Sequence, residues 1–369
     1  GASNVTGLSD ALVESNSIYV GNDPSSTSDN ASYNIAVGTT ALDAITTGDN
    51  NVALGYDALT ANTTGYENSA SGVESLYNNT SGRSNTAMGY RSLRANTSGG
   101  YNTASGVESM YSNTTGQYNL ALGVKSLRKN TTASYNTALG YAALYDANRT
   151  ADGNAYNTAL GYNAGNTGTN DITTGDQNVL LGASTAASQA AASNQIVIGY
   201  GATGTGNNSV SLGNTSVSSI KGQVAFTTYS DKRIKKNIVD NELGLSFINK
   251  LRTVTYNLKN PADYPEALLE KRFKTGDESR PTDNTKTQDG LIAQEVKAVL
   301  DELGVEWSGW SKNDSDGKQG IQYGALTVPL IKAIQEQQAQ ITELQNKINA
   351  IMEMQASASA SKSYGEGDQ

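Results

Sequence analysis

The chain of 369 residues contains no cysteine and no histidine, and besides its tyrosines it has only three Phe and two Trp. Without Cys and His it cannot form a disulfide, a thiolate nucleophile, a Cys/His zinc site or a Ser-His-Asp triad. Any covalent chemistry must therefore use Ser, Thr, Tyr, Lys or a carboxylate. No apolar stretch approaches the roughly 20 residues of a membrane span, so we expect no membrane insertion.

Glycine and tyrosine are abundant but unevenly distributed. Residues 1–229 hold 28 of the 38 Gly and 16 of the 20 Tyr, and only about one residue in ten there is charged. Residues 230–369 contain both Trp, and more than one residue in four is charged. The net charges of the two regions are −6 and −3, which argues against a nucleic-acid partner. The change in composition predicts a domain boundary between Tyr229 and Ser230.

An internal repeat fills most of the first region. The motif Asn-x-Ala-x-Gly recurs seven times at a spacing of 17 residues, from Asn34–Gly38 to Asn136–Gly140, and each Gly is followed four positions later by an apolar residue. Further copies with wider spacing or looser sequence end at Gly161, Gly182, Gly199 and Gly213. One such unit cannot bury its apolar residues alone, so the units have to stack. We predict a β-solenoid or β-roll with one unit per turn, turns about 4.8 Å apart, and a ladder of hydrogen-bonded Asn side chains.

Glycine-containing segments between the strands are interpreted as turns. The segment Asn62-Thr63-Thr64-Gly65 and its equivalents favour a turn because Asn and Gly tolerate positive φ. Gly199–Gly204 matches GxGxxG, but another turn and strand follow it, where a dinucleotide site needs a helix. At residues 314–317 the sequence falls short of an EF-hand, since Lys312 occupies the first ligand place. We therefore predict no cofactor and no bound metal.

Stacking in register would bring residues 17 positions apart into columns. Glu74 and Glu108 would lie two turns apart, about 9.6 Å, near the upper limit of the roughly 6.5–9.5 Å between the carboxylates of inverting glycosidases. Arg91 would lie between them, so we expect a salt-bridge ladder in which Arg91 pairs with both glutamates. A second column holds tyrosines, which we expect to pack beside the interface between turns more than to bind sugars. These are Tyr33, Tyr101, Tyr118, Tyr135 and Tyr156.

The second region predicts two short helices followed by a coiled coil. Apolar spacing favours helices over residues 243–251 and 291–300, and from Leu330 onward it changes to the 4-3-4-3 pattern of a heptad seam. The seam positions are Leu330, Ile334, Gln337, Ile341, Leu344, Ile348 and Ile351. Because Ile-rich seams favour states higher than a dimer, we predict a trimeric coiled coil, with Gln337 as a polar layer that fixes register. An amphipathic helix packed on its own domain is the alternative.

Three ordered motifs in this region resemble those of one family. They are Ser230–Ile238, which reads Ser-Asp-Lys-Arg-Ile-Lys-Lys-Asn-Ile, then Gly290–Val296 and Tyr323–Leu326. Together they resemble the C-terminal intramolecular chaperone domain of the endosialidase type, peptidase family S74. The resemblance implies a domain that trimerises, directs assembly of the β-structured fibre upstream and then cuts itself off. Carried to this chain, it implies Ser230 as nucleophile, Lys235 as its base and Tyr229–Ser230 as the scissile bond.

The residues of the first motif are consistent with that chemistry. Without a His in the chain, the hydroxyl of Ser230 needs another base, and a Lys amine can serve only when it is neutral. Burial and neighbouring cations both favour the neutral amine, and Lys232, Arg233 and Lys236 supply such neighbours. An offset of five residues fits neither one strand face nor one helix face. A turn or loop must therefore bring Ser230 and Lys235 together.

The 17-residue units resemble the head repeats of trimeric bacterial adhesins and similar arrays in phage tail fibres. With the chaperone-like region, this implies a homotrimeric phage tail fibre segment that is made in the host cytoplasm and becomes part of the virion. Its partners would be other tail proteins and a host-surface receptor such as a glycan. The alternatives are a tail-spike depolymerase acting on surface glycan, which needs paired carboxylates that no cation shields, and a bacterial adhesin, which should end in a membrane-anchoring barrel.

The predicted fold class is a mainly β repeat, forming a trimeric β-roll or β-solenoid fibre, followed by an α+β chaperone domain and a trimeric coiled coil. The predicted segments are an N-terminal cap or stub at 1–33, the fibre at 34–215, a β connector at 216–229, the chaperone at 230–325, the coiled-coil helix at 326–354 and a disordered tail at 355–369.

Overall fold

The computed structural model describes residues 11–21, 24, 30–150, 153–217, 219–223, 226, 228–268, 285–313 and 317–365. The chain forms two compact units, Gly1–Ile220 and Lys221–Gln369, so the division falls somewhat before the predicted boundary at Tyr229 and Ser230. Among the described residues, no helix combines the length and the apolar character needed to cross a membrane.

The first unit is a β-solenoid built on the repeat. Its strands are β1 Ala11–Glu14, β2 Ser17–Val20, β3 Ile35–Val37, β4 Val52–Leu54, β5 Ser69–Ser71, β6 Thr86–Met88, β7 Thr103–Ser105, β8 Leu120–Leu122, β9 Thr137–Leu139, β10 Thr158–Leu160, β11 Val179–Leu181, β12 Gln195–Ile198 and β13 Ser209–Leu212. They form one sheet in sequence order, and from β2 to β13 each strand is parallel to the next. Ala36 lies opposite Ala53, and Ala53 opposite Ala70. The prediction of a solenoid with one unit per turn is confirmed.

The solenoid begins before the first copy of the motif. Strand β2 pairs with β3 in the register of the repeat, with Ile18 opposite Ile35, although Ser17 stands where nine of the later turns, from Asn34 to Asn178, have Asn. Strand β1 pairs antiparallel with β2 and forms a hairpin with it. The hairpin covers an edge that would otherwise present a row of unpaired N–H and C=O groups. Part of the segment predicted as a cap or stub therefore belongs to the stack itself.

Two residues of each unit build the apolar interior. Side chains alternate between the two faces of a strand, so the middle residue, such as Ala53, points inward and is fully buried. The apolar residue four positions after the Gly, such as Leu59, is also buried, and its φ is +53°. This left-handed conformation costs roughly 1–2 kcal/mol. Burial of a Leu side chain contributes about 1.5–3 kcal/mol and offsets that cost.

Asn side chains at the motif position form the predicted ladder. The Oδ1 atom of Asn34 accepts hydrogen bonds from the backbone N of Asn51 at 2.8 Å and from its Nδ2 at 3.1 Å, and Asn51 Nδ2 also donates to the carbonyl of Gly65 at 2.9 Å. The same pattern recurs from turn to turn as far as Asn178. The Asn side chains are buried, so the ladder supplies partners to polar groups that water cannot reach.

The turn segments differ from prediction in their backbone. The chain bends at Thr63 and Thr64, and neither Asn62 nor Gly65 adopts positive φ. The left-handed residues stand elsewhere, for example at Glu67 and Leu59. Gly65 is required by a close approach, because a Cβ there would lie 2.5 Å from the carbonyl oxygen of Gly82 in the next turn. Asn62 is buried and belongs to a second ladder, in which Asn79 Nδ2 donates to its Oδ1 at 2.7 Å.

The second unit is a small α+β domain. Its elements are α1 Leu245–Ile248, β14 Val254–Asn257, β15 Thr287–Gly290, α2 Ala293–Leu303, β16 Trp310–Lys312, β17 Gln319–Ile321 and α3 Thr327–Gly365, with 3-10 helices at Lys232–Ile234, Pro261–Asp263, Glu266–Leu268 and Tyr323–Leu326. Strands β14 and β15 pair antiparallel, as do β16 and β17. The buried core is Leu243, Phe247, Val296, Leu300 and Trp307. Helices α1 and α2 lie where the apolar spacing predicts them.

The segments that flank this domain differ in part from prediction. The last strand of the solenoid ends at Leu212, and the described residues of the predicted β connector lie in no strand, while residues 218, 224, 225 and 227 of that segment lie outside the described part of the chain. Helix α3 continues to Gly365, where a disordered tail was predicted from residue 355. Alanine is the best helix former and no Pro or Gly interrupts residues 355–364, so the helix has no local reason to stop earlier. The segment 314–316, where the sequence falls short of an EF-hand, lies outside the described residues.

Candidate functional site

The structure brings Ser230 and Lys235 into direct contact. The Nζ atom of Lys235 donates to the Oγ atom of Ser230 at 2.7 Å. Nucleophile and base candidates have to lie within hydrogen-bond reach of each other, and this distance meets that condition. Ser230 also directly follows Tyr229, so its hydroxyl is next to the carbonyl of the bond that the sequence singles out. The prediction that a turn joins the two residues is thus met geometrically, while their catalytic roles stay predictions.

The turn that creates this contact is a 3-10 helix over Lys232–Ile234. Asp231 caps it by accepting a hydrogen bond from the backbone N of Arg233 at 2.8 Å, and Lys235 N closes the turn on the carbonyl of Lys232 at 3.2 Å. The guanidinium of Arg233 also binds the Asp231 carboxylate, with Nη2 to Oδ2 at 2.6 Å. Hydrogen bonds from the Arg233 side chain and backbone lower the pKa of the Asp231 carboxyl. The sequence singled out Arg233 as a cation near Lys235, whereas the structure pairs it with Asp231.

The whole site is exposed in the single chain. Residues 228–242 show no burial where they are described, and the side chain of Tyr229 is 88% exposed. A lysine amine acts as a base only in its neutral form, which burial favours. Among the described residues, the arrangement therefore provides the contact between Ser230 and Lys235 without the burial that the neutral amine needs.

The heptad seam of α3 faces away from its own domain. Helix α3 packs on α1 through Ala333, which is buried, and through Glu336, whose Oε2 accepts from the backbone N of Leu245 at 2.7 Å. The seam residues Ile334, Ile341, Leu344 and Ile348 are 50–64% exposed, and Gln337 lies among them on the exposed side. The alternative of an amphipathic helix whose apolar seam packs on its own domain does not fit this geometry. The seam is open to a partner along its whole length.

The charged column on the solenoid forms one of the two predicted pairs, between Arg91 and Glu74, but not the pair between Arg91 and Glu108. Glu74 accepts hydrogen bonds from Arg91, with Nε to Oε2 at 3.0 Å, and from Arg94 at 2.5 Å. Glu108 is bound by Arg128 at 2.9 Å in place of Arg91. The guanidinium groups of Arg91 and Arg94 lower the pKa of the Glu74 carboxyl. Arginines bind both glutamates, so this pair lacks the unshielded carboxylates that a depolymerase needs.

The tyrosine column stacks as expected. The rings of Tyr101, Tyr118, Tyr135 and Tyr156 follow one another at centroid distances of 4.9, 5.1 and 4.9 Å. The guanidinium of Arg83 covers the other face of the first ring, 5.3 Å from its centroid. Because the ring faces cover one another, a sugar could not stack on the middle rings. This column therefore stabilises the stack of turns.

Another column was missed at the level of sequence. Tyr77, Arg94, Tyr111, Arg128 and Tyr145 alternate at successive turns, and each arginine lies between two rings at 4.8–5.9 Å from their centroids. Such cation–π contacts contribute about 0.5–1 kcal/mol at exposed sites. In the sequence, Tyr and Arg alternate at this position from one unit to the next. The pattern therefore repeats every two units, which is twice the period of the motif.

Comparison with known families supports one part of the chain. Residues 230–305 match the family model of peptidase S74, described as the chaperone of endosialidase. The match begins at Ser230 and includes the motifs Ser230–Ile238 and Gly290–Val296, while Tyr323–Leu326 lies beyond its end. No curated protein and no solved structure matches the chain. Residues 230–305 are therefore similar to the chaperone of endosialidase, which supports a chaperone domain in this part of the second unit.

Proposed function

We propose that this chain is a segment of a homotrimeric phage tail fibre whose second unit nucleates trimer folding and then releases itself by cleavage between Tyr229 and Ser230. The observation that carries the proposal is the 2.7 Å contact between Lys235 Nζ and Ser230 Oγ, at the residue where the chaperone family match begins. The β-solenoid upstream fits the fibre of a tail fibre or spike protein. Attachment to a host-surface receptor, assembly into the virion and contacts with other tail proteins belong to the same proposal.

The cleavage step follows from the positions of the two side chains. Lys235, when neutral, takes the hydroxyl proton of Ser230 as Oγ attacks the carbonyl carbon of Tyr229. The bond from Oγ to that carbon forms, the peptide C–N bond breaks, and the freed amino group of Ser230 takes up the proton. Water then hydrolyses the ester, which leaves a carboxylate on Tyr229 and restores the hydroxyl of Ser230. The reaction happens once per chain and needs neither His nor Cys.

Assembly would control this step through burial. The pair is exposed in the single chain, and the neutral amine that the step requires is favoured by removal from water. A trimer would bring two further copies of the domain close to each Ser230 and could exclude water from it. Cleavage would then follow completed folding, and removal of the chaperone would make unfolding kinetically difficult.

The exposed seam of α3 supports three copies as the assembled state. Exposed apolar residues at Ile334, Ile341, Leu344 and Ile348 are unfavourable in water unless a partner covers them. Isoleucine at one set of seam positions favours states above the dimer. Three chains held level by this seam would also start the solenoids in the same register, which near-identical units do not specify by themselves.

Cleavage is tested by expressing the full chain and measuring its products by denaturing electrophoresis and intact mass. We expect fragments 1–229 and 230–369 from the native sequence and an uncut chain from Ser230→Ala and from Lys235→Ala. Lys221→Ala is the matched control, because it removes an exposed lysine outside the motif Ser230–Ile238 and should still be cut. Cleavage at the same bond in Ser230→Ala would rule out the proposed nucleophile. Light scattering on the uncut Ser230→Ala chain tests the trimer separately.

A further inference from the structure

Two columns of the solenoid repeat every second turn over residues 68–135, while the motif repeats every turn. Counting from the motif Asn as position 0, these columns lie at +6 and +9. We call the turns that begin at Asn68 and Asn102 the glutamate turns, because they carry Glu at +6 and Tyr at +9. The turns that begin at Asn85 and Asn119 are the arginine turns, with a cation at +6 and Arg at +9. The residues at +6 and +9 are, in order, Glu74 and Tyr77, Arg91 and Arg94, Glu108 and Tyr111, and Lys125 and Arg128.

The alternation extends to the positions around these two columns. Ala-Ser-Gly-Val-Glu-Ser stands at residues 70–75 and again at 104–109, which is 34 positions later. In the arginine turns, Ser-Leu-Arg stands at residues 92–94 and again at 126–128. In this part of the chain, the sequence therefore repeats in pairs of turns, although each turn has the same backbone path.

The ion pairs in these columns join glutamate turns to arginine turns. Glu74 Oε2 accepts hydrogen bonds from Arg91 Nε at 3.0 Å and from Arg94 Nε at 2.5 Å. In the next pair of turns, Glu108 Oε2 accepts from Arg128 Nε at 2.9 Å. The arginines at +9 also lie over tyrosine rings of the glutamate turns, 4.8–5.9 Å from the ring centroids. These contacts therefore depend on turns of opposite kind being neighbours.

The interior of the solenoid does not distinguish the two kinds of turn. In all four turns the middle strand residue is a buried Ala, and both Asn ladders continue through each turn. The buried apolar residue at +8 is Leu in three of the turns and Met in the fourth. A stack that left out one turn would therefore rebuild nearly the same interior, and burial alone would hardly disfavour it.

The charges do distinguish such a stack from the native one. If the first arginine turn were left out, Glu74 would lose both of its arginines and face Glu108 one turn away, at about 4.8 Å. These two side chains are 16% and 19% exposed, so water and salt screen their repulsion only in part. If the second glutamate turn were left out, Arg94 would face Arg128. Tyrosine rings would tolerate either error, because stacked tyrosines occur elsewhere in the solenoid. The charged residues therefore carry the difference.

We propose that this alternation of charge fixes the order in which the turns stack, because it makes a stack that is out of step by one unit less stable than the native stack. A step of two units would give Glu74 the cations Lys125 and Arg128 as neighbours, so the alternation acts against single-unit errors. This role concerns stacking within one chain and requires neither a trimer nor cleavage, so it goes beyond the proposed function.

Deletions of whole units test this role, because each deletion creates a chosen pair of neighbouring turns in the full chain. Deletion of residues 85–101 removes one arginine turn and places the two glutamate turns against each other. Deletion of residues 85–118 removes two turns and places a glutamate turn against an arginine turn. Deletion of residues 51–67 is the matched control, because it also removes one unit but keeps all four alternating turns in their native order.

The measurement is urea unfolding followed by far-UV circular dichroism. We expect the deletion of residues 85–101 to have the lowest midpoint, about 0.5 M or more below the control. The midpoint should rise again for the deletion of residues 85–118, although that chain is one unit shorter. Equal midpoints for the deletion of residues 85–101 and the control would overturn the proposal. A midpoint for the longer deletion that is no higher than that for residues 85–101 would also overturn it, since the restored ion pairs would then have no effect.

Substitutions at full length decide the question if the shortened chains do not fold. Arg91→Glu with Arg94→Tyr converts the first arginine turn into a glutamate turn and should lower the urea midpoint. Adding Glu74→Arg and Tyr77→Arg restores opposite charges between this turn and the one before it, and should raise the midpoint again. A fourfold variant that is no more stable than the twofold variant would overturn the role of the alternation, because each native side chain would then matter only by itself.

Discussion

The two units of this chain bury their side chains in different ways. In the solenoid, each turn contacts its neighbours through residues 17 positions apart, and buried Ala, Leu and Asn repeat along the stack. In the second unit, five buried residues form the core, and the longest helix presents its apolar seam to water. The solenoid interior is thus complete within one chain, whereas the apolar seam of α3 is exposed in the single chain. Under the proposed function, the solenoid supplies length and the second unit supplies assembly.

The ion pairs of Glu74 in the solenoid are less exposed than the ion pair of Glu295 in the second unit. The Glu74 side chain is 16% exposed and is bound by two arginines, whereas Glu295 in the second unit is 43% exposed and is bound by Arg252. Exposed pairs contribute little because water and salt screen them. The two units can be followed separately, since both Trp lie in the second unit and far-UV circular dichroism of the strands is dominated by the first.

The largest effect is expected from a glycine at the close approach between turns. At Gly72, φ is +143° and a Cβ would lie 2.5 Å from the carbonyl oxygen of Gly89. Gly72→Ala should destabilise the solenoid by about 3 kcal/mol or more, because backbone atoms cannot move aside within a stack. Gly304→Ala in the second unit is the comparison, with φ at +65° and open space around the Cβ, and should cost only about 1 kcal/mol.

Urea unfolding measures both variants, with circular dichroism for Gly72→Ala and Trp fluorescence for Gly304→Ala. Equal losses of stability in the two variants would mean that positive φ alone requires glycine at position 72. That result would contradict the role of packing between turns.

An intermediate effect is expected in the first Asn ladder. Asn85 Nδ2 donates to Asn68 Oδ1 at 3.1 Å and to the carbonyl of Gly99 at 2.8 Å, and its Oδ1 accepts from the backbone N of Asn102 at 3.0 Å. Asn85→Ala leaves these buried groups without partners and should destabilise the solenoid by about 2–4 kcal/mol. Ser98→Ala, at an exposed site, is the control and should stay within about 0.5 kcal/mol of the native chain. Thermal unfolding followed by circular dichroism makes the comparison, and matching midpoints would show that the ladder adds no net stability.

The smallest effect is expected from the ion pairs and depends on pH. Arg91 and Arg94 lower the pKa of Glu74 in the folded chain, so the stabilisation is present above the unfolded carboxyl pKa of about 4.3 and is lost as pH falls through the folded value. Glu74→Gln should therefore lower the free energy of unfolding by at most about 1 kcal/mol at pH 7 and leave it unchanged at the lowest pH measured. Glu295→Gln should cost less, because its pair with Arg252 is exposed. Free energies of unfolding measured across pH 2.5–7 test this pH dependence. A cost of Glu74→Gln that does not change with pH would contradict the assignment of the stabilisation to the ionised carboxylate of Glu74.

The sequence alone was sufficient for those features that the repeat period controls. A spacing of 17 residues decides which side chains meet in adjacent turns, so the solenoid, the first Asn ladder and the stacked Tyr column followed from counting. The heptad pattern likewise predicted a long helix, and the motif at Ser230 predicted that a turn must join two side chains five residues apart.

Tertiary structure decided what depends on the path of the backbone within a turn. Glu74 pairs with Arg94, 20 residues away, because the chain bends back so that neighbouring columns touch. The left-handed conformation of Leu59 and the buried second ladder at Asn62 arise in the same way, since burial inside the stack offsets local preference. At the candidate site, the sequence named Ser230 and Lys235, but the distance between them is determined by the 3-10 turn that Asp231 caps. A periodic pattern specifies which residues are neighbours, and only the folded backbone specifies how far apart their atoms lie.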